Sequence, residues 1–245
     1  MGGAIGAALG SFIVTLVLRW PEPASALSGR SRCDGCGRPL PLPALVPVLS
    51  YVRQRGRARC CGASVDGLHL WGEVAAIMIG AVSLVLLGPQ GWIAALFGWL
   101  LLTLALFDLR FFILPDWLTK MLALAAAAGV TLHAEPMIAD RLIGGACGYA
   151  TLQLIRLGYR AARGREGLGR GDPKLLGAIG LWTGWQPLPA IMLTAALIGL
   201  AIAGTMHLLG RRVTATQRMP LGTLMAAAAW PIWLWTQLHP GGIGG

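Results

Sequence analysis

The sequence predicts an all-α polytopic membrane protein with about eight transmembrane helices and a basic cytoplasmic loop after the first. Three observations predict it. Of 245 residues, 56% are hydrophobic and only 12% are charged, and the mean hydropathy is +0.66. That is more apolar sequence than a soluble domain of this length can use. The apolar residues fall in runs of spanning length between short polar turns. The net charge of +10 gathers in three clusters between those runs. This is the positive-inside pattern of a membrane protein and argues against nucleic acid as the partner.

Span one covers about residues 3–18, without a basic segment ahead of it, so a retained span is expected and not a cleaved signal peptide. Its Gly6, Ala7, Ala8, Gly10 and Ser11 predict close packing on another helix. Arg19-Trp20-Pro21 is an interfacial anchor followed by a helix stop. Residues 21–67 form the longest polar segment, with Arg30, Arg32, Arg38, Arg53, Arg55, Arg57 and Arg59 against Glu22, Asp34 and Asp66. Its middle, Leu40 to Tyr51, is apolar and Pro-rich and suits the bilayer surface.

Span two runs over 68–87, with Glu73 in its first turns. The turn Gly88-Pro89-Gln90-Gly91 leads to span three, 92–107, which ends at Asp108. A short amphipathic piece, 109–114, stops at Pro115-Asp116, and span four follows over 117–133. Glu135-Pro136 is a turn. Span five covers 137–159, with Asp140 and Arg141 at its start. A basic, Gly-rich segment, 160–172, precedes a short span six, 173–185, rich in Gly177, Gly180 and Gly184. Span seven covers 188–209 and span eight 221–238, with a third basic turn (Arg211, Arg212, Arg218) between them and an unstructured tail from Pro240. Among the 20 Lys and Arg residues, all but Arg141 lie in, or within a turn of, the loops assigned to the cytoplasm. The expected organisation is a first span at 1–20, a Cys-bearing loop at 21–67 and a membrane domain at 68–245.

Four of the five cysteines (Cys33, Cys36, Cys60 and Cys61) lie in the first basic loop. In a reducing cytoplasm such a group points to metal binding before disulfides. Cys147 lies within span five and reads as a core thiol.

One acidic residue stands apart. Asp172 sits in Gly167-Leu168-Gly169-Arg170-Gly171-Asp172-Pro173-Lys174, between two apolar runs. A carboxylate beside hydrocarbon is a functional-site hypothesis by default. Asp before Pro is also an ordinary helix start, with Asp as N-cap. The topology gives Asp172 a partner. Span three ends at Asp108 and span six starts at Asp172, both on the cytoplasmic side and at similar depth. Two carboxylates brought together in a partly dry site share a proton. One then serves as general base on a water while the other, protonated, polarises a carbonyl. That is aspartyl peptidase chemistry. Asp116 follows Pro115 and reads as an N-cap. Glu166 and Lys174 either orient substrate, hold the loop or are solvated charges. Gly169 and Gly171 let a substrate backbone come close.

These residues match a family. Glu166 to Leu176, around Gly169-Arg170-Gly171-Asp172, and Asp108 to Pro115-Asp116 resemble the two aspartate signatures of the type IV prepilin peptidases, membrane aspartyl peptidases of the GxGD class. Gly10-Ser11-Phe12 with Arg19 and Pro21 resembles that family's first span, and Met219-Pro220-Leu221-Gly222 its last cytoplasmic turn. The resemblance covers nearly the whole chain. It implies that Asp108 and Asp172 are the catalytic pair and Asp116 a motif residue of lesser role. It implies cleavage of a basic leader from prepilins or pseudopilins after a Gly, on the cytoplasmic face of the bacterial inner membrane. No cofactor is implied for the proteolysis. Many members also methylate the new N-terminus with S-adenosylmethionine.

The chain departs from the family in its first loop. Two Cys-x-x-Cys pairs are usual there. Cys33-Asp34-Gly35-Cys36 is intact, whereas Ala58 stands where Cys60-Cys61 needs its partner. A zinc site from Cys33, Cys36, Cys60 and Cys61 and a degraded knuckle without the usual turn geometry are both open readings. Val14 replaces a usual Asn, and the segment between Pro21 and Cys33 is short. Both fall in the region associated with methylation. Two other function classes compete with the peptidase. An inactive assembly partner on the same fold would be indifferent to loss of either aspartate. A transporter would want midplane charges, and only Glu73 and Asp140, both near span ends, offer them.

Overall fold

A computed structural model of the chain describes residues 1–20, 31–33, 35–41, 45–130, 136–211 and 219–239. The expected helix stop at Pro21, residues Glu22, Arg30 and Asp34, the turn at Glu135, Arg212 and Arg218, and the tail from Pro240 lie outside the described residues. The described residues form helices α1 (Gly2–Arg19), α2 (Leu49–Arg53), α3 (Gly67–Leu87), α4 (Gly91–Phe111), α5 (Asp116–Val130), α6 (Ile138–Arg163), α7 (Asp172–Thr183), α8 (Leu188–Leu208) and α9 (Leu221–Leu238). A single 3-10 turn, Gly88–Gln90, joins α3 to α4. Among the described residues, three stretches are long and apolar enough to cross a membrane: Gly2–Arg19, Gly67–Phe111 and Leu188–Leu208.

Two boundaries differ from the sequence expectation. The helix before the first aspartate continues to Phe111, so Asp108 lies in its last turn and 109–111 are not a separate amphipathic piece. Arg110 favours the helix C-terminus electrostatically. The helix ends where Phe112 takes a left-handed φ of 54°, just before Pro115, which disfavours helix at its predecessor. Similarly, α6 runs four residues into the basic segment. Arg160 and Arg163 sit in its last turn and Gly164 closes it in the left-handed conformation.

The chain divides into two compact units, Met1–Leu106 and Phe107–Gly245. In the first, α1 packs on α3. Gly6 and Gly10 allow the close approach: a Cβ on Gly6 would run into the carbonyl of Ala76, and one on Gly10 would stand 2.9 Å from Cα of Glu73. Of the small residues expected to serve packing, Gly6 and Gly10 do so, whereas Ala8 is exposed. In the second unit α7 is the hub, packing on α5, α6 and α9 and buried along nearly its whole length. Gly144 on α6 faces Gly180 on α7, with no room for a side chain on either. Trp182 donates its indole N–H to the carbonyl of Leu122 at 2.8 Å and meets Trp233 edge-on at 6.0 Å.

Cys147 is exposed, contrary to the expectation of a core thiol. The buried side of α6 is the stripe Arg141, Gly144, Gly148 and Leu152, and Cys147 lies off it. Arg141 is buried and donates to the carbonyls of Pro136 at 2.9 Å and Ala126 at 3.4 Å. It ties the start of α6 to α5.

Candidate functional site

Asp108 and Asp172 are 5% and 6% exposed, in a chain with only 10 acidic residues. Both belong to the second unit. Asp108, in the last turn of α4, directs Oδ2 at the N-terminus of α9. There it accepts the backbone N–H of Thr223 at 2.8 Å and the Thr223 hydroxyl at 3.3 Å, and the amide of Gly222 also faces it. The first N–H groups of a helix lack intrahelical partners, so a carboxylate suits that position.

Asp172 opens α7, but it is not the N-cap the sequence suggests. Gly171 is, and no side chain caps the helix. From the first helical position a side chain leans toward the N-terminus, and Oδ2 of Asp172 reaches back to accept the N–H of Gly169 at 3.0 Å.

Leu114, between α4 and α5, sits against the supports of both carboxylates. A Cβ on Gly171 would come within 2.7 Å of Leu114 Cβ, and one on Gly222 within 3.1 Å of Leu114 Cδ1 and 3.0 Å of Asp108 Oδ2. A Cβ on Gly169 would stand 2.8 Å from Asp172 Oδ2. A side chain at 169, 171 or 222 would therefore press on acidic or apolar atoms that already stand there.

The flanking candidates hold the framework. Glu166 pairs with Arg156 at 3.1 Å and Arg160 at 3.3 Å, which pins the Gly-rich loop to α6. Arg156 in particular holds the Glu166 carboxyl below its ordinary range. Lys174 meets Asp116 at 2.6 Å, so the exposed Asp116 joins the start of α5 to the start of α7. Asp140 accepts the indole N–H of Trp185 at 3.0 Å. Thr223 and Leu114 were missed from sequence. The available signal was Pro220-Leu221-Gly222-Thr223, a helix start with free amides, but nothing local says which acid it receives.

The four loop cysteines converge in the first unit, their sulfurs all within 4.8 Å of one another. Cys33 lies 3.7 Å from Cys61, Cys36 lies 3.4 Å from Cys60, and Cys60 lies 3.9 Å from Cys61. Tetrahedral zinc with sulfur at about 2.3 Å sets neighbouring sulfurs about 3.8 Å apart, so the group fits that ion. The turn geometry expected to be lost is kept. The first turn is closed by Cys33 N–H to Arg38 O and Gly37 N–H to Cys33 O, each 2.8 Å. The second repeats it 25 positions on, with Ala58 N–H to Ala63 O at 2.8 Å and Gly62 N–H to Ala58 O at 2.7 Å. Gly37 and Gly62 share a φ near 70°, at 69° and 73°. Buried Ala58 thus stands where buried Cys33 does, and Cys60, inside the turn, brings in the fourth sulfur. The amides of Gly35 and Cys36 pull the Cys33 thiol down to about 7, and hydrogen bonds with Cys33 and Cys36 push Cys60 up to about 12.

Residues 95–204 match the model of the type IV leader peptidase family, and residues 4–87 match that of the bacterial Peptidase A24 N-terminal domain. A prepilin leader peptidase/N-methyltransferase of Aeromonas salmonicida is 34% identical over 209 residues, covering 84% of this chain and 71% of the relative. Its namesake in Aeromonas hydrophila is 33% identical over 216 residues, covering 87% and 74%. The chain belongs to the type IV leader peptidase family. A Burkholderia pseudomallei relative of the same name is 36% identical over 200 residues, 81% of this chain and 64% of its own. No solved structure matches the chain. Both aspartates lie inside the span matched by the leader peptidase model, and all four loop cysteines inside that of the N-terminal domain.

Proposed function

We propose that this family member is a membrane aspartic endopeptidase that removes the leader peptide of type IV prepilins or pseudopilins, cutting after a Gly, with Asp108 and Asp172 as its catalytic pair. The observation that carries this is two buried carboxylates from distant helices within the leader peptidase match, each fixed to a helix N-terminus or a Gly-rich turn, with the neighbouring Gly171 and Gly222 both packed on Leu114. One carboxylate takes a proton from the attacking water. The other, protonated, donates to the scissile carbonyl, and the roles reverse as the amine leaves. No cofactor enters these steps. Residues 68–245 carry this activity in the proposed organisation, behind a first span at 1–20 and the Cys-bearing loop at 21–67. The eight longer helices cross the bacterial inner membrane, with the aspartates facing the cytoplasm.

The decisive measurement is cleavage of a prepilin in membranes by Asp108→Asn and Asp172→Asn made separately. Each is expected to lose about 10²- to 10⁴-fold in rate. Wild-type cleavage by either variant would overturn the dyad.

A second reading rests on the names of the relatives, which include N-methyltransferase. The chain also methylates the N-terminus that cleavage exposes, with S-adenosylmethionine supplying the methyl group. The mass of the mature pilin N-terminus tests it. The sulfurs of Cys33, Cys36, Cys60 and Cys61 hold a structural zinc, four thiolates leaving no open position.

A further inference from the structure

The two Cys-bearing turns of the first unit match residue for residue. Arg32 bridges Pro39 and Arg57 bridges Ser64 in the same antiparallel sense, and Cys33 and Ala58 open the same hydrogen-bonded turn. On that register Cys36 corresponds to Cys61 and Gly35 to Cys60. A regular second pair would place a sulfur at position 58, where Ala58 is buried as Cys33 is. This chain carries that sulfur at position 60 instead, in the place of a glycine, and Cys60 is exposed.

The exchange moves one sulfur from the inside of the group to its surface. Cys33 stays buried, whereas Cys36, Cys60 and Cys61 are exposed. Gly35 shows which way the moved sulfur points. A Cβ there would meet Ala63 Cβ at 2.5 Å and Cys61 Sγ at 3.1 Å. Position 35 thus faces the second turn, and position 60, its counterpart, faces the first. Cys60 Sγ accordingly lies 3.4 Å from Cys36 Sγ, closer than the 3.7 Å of Cys33 to Cys61 and the 3.9 Å of Cys60 to Cys61.

Oxidation of cysteine follows thiolate character and exposure. A bound zinc holds its cysteines as thiolates, so exposure decides among them, and Cys33 is shielded. A bond between the neighbours Cys60 and Cys61 would close a very small ring and twist the peptide bond between them. A bond between Cys36 and Cys60 needs only a turn of two exposed side chains, from 3.4 Å to the disulfide length of about 2.05 Å.

We infer that Cys36 and Cys60 form a peroxide-sensitive pair whose reversible oxidation releases the zinc of the first loop. One thiolate attacks the peroxide, the O–O bond breaks, and the sulfur becomes a sulfenic acid while hydroxide leaves and is protonated to water. The other thiolate attacks that sulfur, the S–S bond forms, and a second hydroxide leaves as water. Two thiolates, one hydrogen peroxide and two protons give one disulfide and two waters. Cys33 and Cys61 then remain, fewer than the four ligands of a structural zinc. The inference rests on the zinc reading above and adds which two sulfurs make the site labile.

The test treats the full chain, loaded with zinc in lipid nanodiscs, with hydrogen peroxide. A chromogenic chelator reads zinc release, and peptide mass mapping locates the crosslink. Zinc release is expected to accompany a Cys36–Cys60 crosslink and the loss of two hydrogen atoms in mass. Ala58→Cys combined with Cys60→Ala returns the sulfur to the buried position and is expected to release zinc about tenfold more slowly. Dithiothreitol with added zinc is expected to restore the metal. A chain that takes up no zinc overturns the zinc reading and this pair with it. With zinc bound, a crosslink at any other pair, an equal release rate in the double variant, or a loss that dithiothreitol cannot reverse overturns the pair alone.

Discussion

Oδ2 of Asp108 accepts the backbone N–H of Thr223 at 2.8 Å, across 115 positions of sequence. The first aspartate is therefore positioned by the start of the last helix. The hydroxyl of Thr223 adds a longer contact at 3.3 Å. Thr223→Val keeps the amide and removes only the hydroxyl, a loss of about 1 kcal/mol. The expected fall in cleavage rate is about fivefold, measured as initial rates on a prepilin in membranes.

Gly222→Ala is expected to do more damage than Thr223→Val. Its Cβ would stand 3.0 Å from Asp108 Oδ2 and 3.1 Å from Leu114, so the carboxylate or the leucine must shift. The neighbour must give by a few tenths of an ångström, and because Asp108 is a reacting group the cleavage rate is expected to fall at least about tenfold. If Gly222→Ala cleaves as fast as Thr223→Val, the close approach is not what places Asp108.

Gly169→Ala addresses the second aspartate in the same way. The new methyl group would meet Asp172 Oδ2 at 2.8 Å, displacing the carboxylate from the Gly169 amide. Cleavage is expected to fall at least about tenfold, with little change in thermal stability because the loop is largely exposed. A drop in melting temperature that accounts for the lost activity would refute the local explanation.

The Glu166 pair sets a pH expectation for the loop. Arg156 and Arg160 depress the Glu166 pKa, so the tether is complete above the ordinary glutamate value of about 4.3. It is lost only as pH falls through the lower, folded value. Hydrogen exchange of the Gly167–Gly171 amides, corrected for intrinsic rates, should show constant protection from pH 5 to 8. Glu166→Gln should lower that protection throughout the range. Protection that changes between pH 5 and 8 in the wild-type chain would assign the tether to another group.

Ala58 and Cys33 occupy matching places in two matching turns. Ala58→Cys combined with Cys60→Ala should therefore restore a regular pair with Cys61 and keep one zinc per chain. Cys60→Ala alone should weaken zinc retention, measured as metal content after dialysis against a chelator. Equal retention in the single and double variants would mean that Ala58 does not stand in for a ligand.

The sequence by itself determined the all-helical class of the protein and most of its long helices, and it singled out both aspartates as candidates. Hydropathy and loop charge are properties of neighbouring residues, so the runs and their flanking Arg clusters can be read without the fold. Local chemistry likewise marks Gly171-Asp172-Pro173 as a helix start. It could not say that Asp172 turns back to Gly169, because N-cap and first helical position differ by one residue and a carboxylate suits either. The tertiary structure alone decided the rest: Thr223 and Leu114 around Asp108, Arg156 and Arg160 on Glu166, the four loop sulfurs drawn together, and Cys147 facing outward. Each of these depends on which helix faces or turns meet. That is set by close packing between residues far apart in the chain, as at Gly6 with Ala76 and Gly144 with Gly180, and such complementarity leaves no periodic signal along the sequence.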